Sequence, residues 1–170
     1  MSTQPASASI TKKASLAGWL SYLYCRFKYY AATLESPFLL LVRLYWGWQF
    51  TQTGWGKLHN LSHVREFFAS LGIPAPGLTA PAIASLEFVG GILLIVGLAS
   101  RLTGFLLACN MFVAYVTSDR EALGSFLSNP GKFYIADPFT FLFASLIVLV
   151  FGAGFFSLDY FFSHRRTYKA

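Results

Sequence analysis

The chain has 170 residues, 55% of them hydrophobic and 12% charged, with a mean hydropathy of +0.54. Soluble domains carry about 25% charged residues, so there is too little polar surface here to cover a water-facing globule, and lipid is the expected solvent. The net charge of +6 gathers at segment ends, where it suits topology and headgroup anchoring, and no basic face with interleaved aromatics argues for nucleic acid.

Residues 1–36 form a basic, aromatic extension. Its stretch "KKASLAGWLSYLYCRFKYY" begins like a signal peptide. Ser, Tyr and Gly interrupt the apolar run, however, and no A-x-A-like cleavage site follows. The expectation is an amphipathic interfacial helix over about 14–34, lying on the cytoplasmic face, after a flexible tail of residues 1–12.

Four segments are apolar enough to approach the ~20 residues that cross a bilayer: about 37–56, 78–99, 102–118 and 138–155. Pro37 and Pro138 suit first turns of helices, where a missing N–H costs nothing. The runs are too long and too continuous for strands, and helices satisfy their own backbone in lipid. The expected fold is therefore all-α: a transmembrane antiparallel four-helix bundle over residues 37–160, with the interfacial helix before it and a basic tail over 161–170.

Only Ser100 and Arg101 separate spans two and three, which implies a tight hairpin. In the first connection, "NLSHVREFFASLG" reads as a short amphipathic helix. Asn60 or Ser62 would cap it, Leu61, Val64, Phe68 and Leu71 would form its stripe, and Gly72 would end it. In the third connection, Asn129-Pro130-Gly131 is a turn signal.

Lys12, Lys13, Arg26, Lys28, Arg101, Arg165, Arg166 and Lys169 fall on one side of the expected bundle, against Lys57, Arg65, Arg120 and Lys132 on the other. The positive-inside rule then places both termini in the cytoplasm, as in a multi-pass protein of a bacterial inner membrane.

Span one carries Arg43, Gly47, Phe50, Gly54 and Lys57-Leu58. The loop reads "FFASLGIPAPGLTA", span two begins "LEFVGGILLIVGLASRL", and "GAGFFSLD" follows span four. In this order the four pieces resemble the DoxX family of four-helix inner-membrane proteins, over about residues 38–160. The resemblance implies association with quinone-linked redox complexes, such as thiosulfate:quinone oxidoreductases, in which a soluble oxidoreductase is the expected partner. It does not imply a particular activity.

Steps of four and three put Arg43, Gly47, Phe50, Gly54 and Lys57 on one stripe of span one. Glu87, Gly90, Gly91 and Leu94 form a stripe on span two. The helix-interface glycines Gly47, Gly54, Gly90 and Gly91 let backbones approach closely. Glu87 lies mid-span, where a charge costs about 2.5–3.5 kcal/mol, so a partner must decide its state. Arg43 is the expected partner, directly or through water, and would hold Glu87 ionised. Arg43, Glu87 and Asn110 are thus the candidate buried polar site, with two readings open: a ligand site, or a latch that fixes helix register. Asn110 is expected to make an interhelical hydrogen bond. Trp46, Trp48 and Trp55 are candidates to stack on a quinone ring. Asp159 is expected in the first turn of a short terminal helix, near the end of span four.

His59 and His63 stand at i, i+4 but lack a third ligand, so no metal site is expected. The three histidines lie outside the spans, and Cys25 and Cys109 are too few for a cluster. No haem, iron–sulfur or nucleotide motif is visible. The expected role is a membrane subunit or anchor that binds quinone at most and has no electron carrier of its own. A non-catalytic assembly or stress-linked protein is the alternative. The sequence leaves the oligomeric state open.

Overall fold

The computed structural model describes residues 16–167, with side chains over residues 18–164. Expectations for residues 1–15, for the side chains of Arg165 and Arg166, and for Lys169 lie outside the described residues. The described residues form eight helices and no strand: α1 (Leu16–His59), α2 (Leu61–Ser70), α3 (Pro76–Val96), α4 (Ser100–Thr117), α5 (Arg120–Gly124), α6 (Pro130–Ile135), α7 (Pro138–Phe151) and α8 (Leu158–Thr167).

The chain divides into two compact units, Met1–Leu34 and Glu35–Ala170. In the first, the described residues are helical, and every side chain from Gly18 to Leu34 is exposed.

In the second unit the long helices pack through small residues. A Cβ at Gly47 would lie 2.8 Å from the Gly91 carbonyl, and one at Gly54 would lie 2.8 Å from the Ala84 carbonyl. Rising numbers in α1 meet falling numbers in α3, so the two run antiparallel. Gly90 faces the other way, onto Leu107 of α4. Gly104 of α4 lies against the backbone of Ser145 and Leu149 in α7. Phe50, Leu94, Leu107, Met111 and Val148, one or two from each of these four helices, make the buried core.

Pro37 does not open a helix: α1 runs through it. A proline removes one backbone hydrogen bond and crowds the preceding turn. Here the good helix formers Ala31, Ala32 and Leu34 on one side and Leu39, Leu40 and Leu41 on the other carry the helix past it. Pro138 does stand in the first turn of its helix.

The α3–α4 link is Gly97–Ala99, not Ser100-Arg101. Gly97 takes the left-handed conformation (φ 74°) and closes α3: its N–H reaches the Leu94 carbonyl at 3.2 Å and the Leu98 N–H reaches Leu93 at 3.0 Å. This is the double bond of a Schellman cap, which glycine enters without steric cost. Gly72 (φ 73°) closes α2 in the same way, with Ile73 N–H on the Phe68 carbonyl at 3.0 Å. Val64 is the buried residue of α2, which packs on α3. Asn60 precedes α2, but its side chain donates back to the Gly56 carbonyl and does not cap it. The Asn129-Pro130-Gly131 signal opens α6, with the Asn129 side chain accepting from Lys132 N–H. Pro130 suits that first turn as well as it suits a turn.

Among the described residues α3 is the one helix long and apolar enough, by length and composition, to cross a membrane, and α7 is a shorter apolar helix. The other expected spans fall on α1 and α4. The fourth expected span, 138–155, stops short: α7 ends at Phe151, where Gly152 turns at φ 82°.

Candidate functional site

Glu87 is the centre of the buried polar chemistry. Its residue is 1% exposed, on the α3 turn between Ala84 and Gly91. Lys57, near the C-terminal end of α1, spans both carboxylate oxygens, with Nζ 2.6 Å from Oε1 and 2.7 Å from Oε2. Asn110 of α4 donates from Nδ2 to Oε1 at 2.9 Å. Three helices thus converge on one carboxylate. The Lys57 side chain remains 35% exposed, so its stem covers apolar surface while its head stays near the rim. Charge-assisted bonds of this kind are roughly twice as strong as neutral ones.

The expected Arg43–Glu87 pair does not form. Arg43 is fully buried, but it donates from Nη2 to the Phe156 carbonyl in the α7–α8 link. Its Nε and Nη1 find no hydrogen-bond partner among the described residues. Helix register explains the difference. Gly54 opposes Ala84 and Phe88, so Lys57 lies three residues from the level of Glu87, or ~4.5 Å along the helix. Arg43 lies eleven residues from Gly54, or ~16 Å, beyond the combined reach of the two side chains. Lys57 already stood on the same stripe in the sequence. Its position at the span's end suggested only an interfacial anchor.

Arg43 belongs instead to a second polar group at the opposite end of the α1–α3 contact. Gly97 leaves room for its guanidinium: a Cβ there would collide with Nη1. Asp159, which acts on Arg43 electrostatically, accepts from Ala99 N–H at 2.7 Å and Ser100 N–H at 2.8 Å. Its own N–H donates to the Gly97 carbonyl at 3.0 Å. Asp159 stands in the first turn of α8, but its carboxylate caps the start of α4, where a negative charge meets orphan N–H groups and the positive end of the helix dipole. No local pattern announces this long-range cap, because Ala99 itself is not a capping residue.

The tryptophans do not converge. Trp46 packs edge-on to Phe141 of α7 at 5.3 Å, Trp48 is exposed, and Trp55 lies 5.5 Å from Phe88, the neighbour of Glu87. Of the three, only Trp55 borders the Glu87 cluster. His59 sits against Trp55, with Nδ1 2.9 Å from the Trp55 carbonyl.

These features define a class: an all-helical chain whose small-residue contacts bring a lysine–carboxylate–amide cluster together inside an apolar helix packing. The chain belongs to the DoxX family, whose model matches residues 38–120. A relative in Bacillus subtilis (strain 168), named "Putative oxidoreductase CatD", is 32% identical over 120 residues, covering 71% of this chain and 83% of that protein. "Inner membrane protein YqjF" of Escherichia coli (strain K12) is 29% identical over 75 residues, covering 44% of this chain and 56% of that protein. No solved structure matches the chain.

Proposed function

We propose that the chain is a multi-pass bacterial inner-membrane protein in which α1 from Pro37, α3, α4 and α7 form a transmembrane antiparallel four-helix bundle. Outward side chains support this: Val89, Ile92 and Val96 on α3, Phe105, Phe112 and Val116 on α4, and Phe143, Leu146 and Val150 on α7 are exposed. Apolar exposure of this kind on three helices suits lipid and is a liability in water. The lysine and arginine distribution supports cytoplasmic termini, with Lys57 toward the opposite face.

Within that bundle the protein serves as the membrane subunit or anchor of a quinone-linked redox complex. The observation that carries this reading is the Lys57–Glu87–Asn110 cluster. An ionisable residue inside a membrane bundle marks a functional site by default, and the word oxidoreductase in the name of CatD points the same way. The cluster fits a quinone headgroup. An ammonium has three N–H donors; with one to each oxygen of Glu87, the third is left for a carbonyl. Trp55 and Phe88 form an aromatic rim beside it. Lys57 would orient the carbonyl and Glu87 would hold a proton near it. A bound quinone would supply the electron-carrying chemistry, and the electrons would come from a partner oxidoreductase.

A second reading is favoured by the completeness of the cluster. Both oxygens of Glu87 are already engaged, as in a latch that fixes the register of three helices. The two readings separate in one experiment. Protein purified in mild detergent should carry isoprenoid quinone, and the Glu87→Gln variant should lose it while keeping its fold. Full quinone occupancy in that variant sinks the quinone reading and leaves the latch.

A further inference from the structure

The residues from Leu16 to Leu34 include Arg26 and Lys28 and no acidic residue. Large side chains stand exposed all along this stretch, among them Trp19, Leu23, Phe27 and Tyr29. Such a surface is too aromatic for water and too basic for the bilayer centre, a combination that belongs at the headgroup layer.

One face carries more than general basicity. Tyr22, Arg26 and Tyr30 lie at successive i, i+4 positions. Arg26 donates from Nη1 to the Tyr22 hydroxyl at 3.0 Å and from Nη2 to the Tyr30 hydroxyl at 3.0 Å. Its guanidinium carbon lies 5.8 Å and 5.7 Å from the two ring centres. Each phenol oxygen is thereby used as an acceptor and keeps its own O–H to donate. Guanidinium has five N–H groups, of which two are used. The face offers donors and one positive charge, held in place by two rings. A phosphodiester with no cation in its own headgroup is its complement, with acceptors only and an uncompensated negative charge, whereas choline would bring a second cation to a face that already holds one.

We propose that the Tyr22–Arg26–Tyr30 face of α1 is a clip for the phosphate of an anionic phospholipid headgroup. The proposal rests on the inner-membrane reading above. Lys28, 5.7 Å from the Tyr24 ring, adds charge from another side of the helix without the paired hydroxyls. The clip recognises phosphate through hydroxyl and guanidinium donors together, so charge alone does not reproduce it.

The test uses the full chain in nanodiscs of phosphatidylcholine with and without phosphatidylglycerol, with retained lipids counted by native mass spectrometry. The wild type should retain phosphatidylglycerol in preference to phosphatidylcholine. Arg26→Ala should reduce that preference about fivefold, the factor equivalent to ~1 kcal/mol for one basic residue at an anionic surface. Tyr22→Phe/Tyr30→Phe, with the charge intact, should also reduce it measurably. Wild-type preference in the double phenylalanine variant overturns the clip, and so does complete displacement of phosphatidylglycerol by inorganic phosphate. Alkaline extraction of membranes holding the wild type separates the two ideas. Release of the protein defeats the multi-pass reading, whereas loss of lipid preference in a protein that stays in the membrane bears on the clip alone.

Discussion

Lys57 on α1 and Glu87 on α3 form a two-pronged ion pair, with Nζ 2.6 and 2.7 Å from the carboxylate oxygens. The pair is asymmetric. Glu87 is sealed, whereas the Lys57 side chain is about one-third exposed and can turn outward if its partner is removed. Lys57→Met should therefore destabilise more than Glu87→Gln, by up to ~3 kcal/mol, because it leaves the sealed carboxylate with Asn110 alone. Thermal unfolding in detergent measures the order of the two losses, and equal or reversed losses would count against the geometry.

A double-mutant cycle distinguishes the observed partner from the expected one. Lys57 and Glu87 should couple by about 1–3 kcal/mol, as contacting residues do. Arg43 and Glu87 should be additive within ~0.5 kcal/mol, as distant sites are. Strong coupling between Arg43 and Glu87 would restore the pairing that the register excludes.

Gly54 and Gly56 provide a matched comparison on one helix. A Cβ at Gly54 would lie 2.7 Å from Phe88 Cα, whereas one at Gly56 meets nothing within 4 Å. Backbone cannot step aside as a flexible side chain can, so Gly54→Ala should cost about 1–3 kcal/mol by overpacking. Gly56→Ala should be neutral or stabilising by up to ~1 kcal/mol, since alanine is the better helix former. Melting temperatures that move together would show that α1 and α3 are not in this contact.

Asp159 joins three segments through one side chain, so its loss should exceed that of an ordinary cap. Asp159→Ala should cost about 2 kcal/mol, at the upper end of capping effects. Asp159→Asn, which keeps one acceptor, should cost less. Hydrogen exchange at the Ala99 and Ser100 amides reports the effect directly, and unchanged protection in Asp159→Ala would contradict the cap.

Outside the proposed spans, Glu121 and Lys132 pair at 2.6 Å. The hydrogen bond from Lys132, and then its charge, hold the Glu121 carboxyl below its ordinary value. A carboxyl lowered by folding stabilises the fold above its unfolded pKa of about 4.3, and that contribution fades as pH falls through the folded value. Both side chains are exposed, so salt should weaken the pair. NMR titration of Glu121 should show a midpoint that rises toward the ordinary value in high salt and in Lys132→Ala. A midpoint indifferent to both would remove the pair.

Much of this arrangement was legible in local pattern. Apolar runs located α3, α4 and α7, Gly72 marked the end of α2, and the stripe of Gly47, Gly54 and Lys57 was readable at steps of seven and three. Contacts that depend on register were not. Whether Arg43 or Lys57 meets Glu87 turns on which α1 residue faces Ala84, and sequence spacing within one helix carries no information about its offset from another. Pro37 shows the opposite limit: a local signal for a helix start was overridden by strong helix formers on both sides. Asp159 on Ala99 and Ser100 joins residues sixty positions apart through a cap that neither segment advertises.

Photolabelling tests the central claim most directly. An azidoquinone bound to the purified protein in nanodiscs, irradiated and mapped by mass spectrometry, should mark the segments around Lys57 and Phe88, and excess native quinone should suppress the labelling. Labelling confined to other segments, or unaffected by native quinone, would contradict a quinone site at Lys57, Glu87 and Asn110.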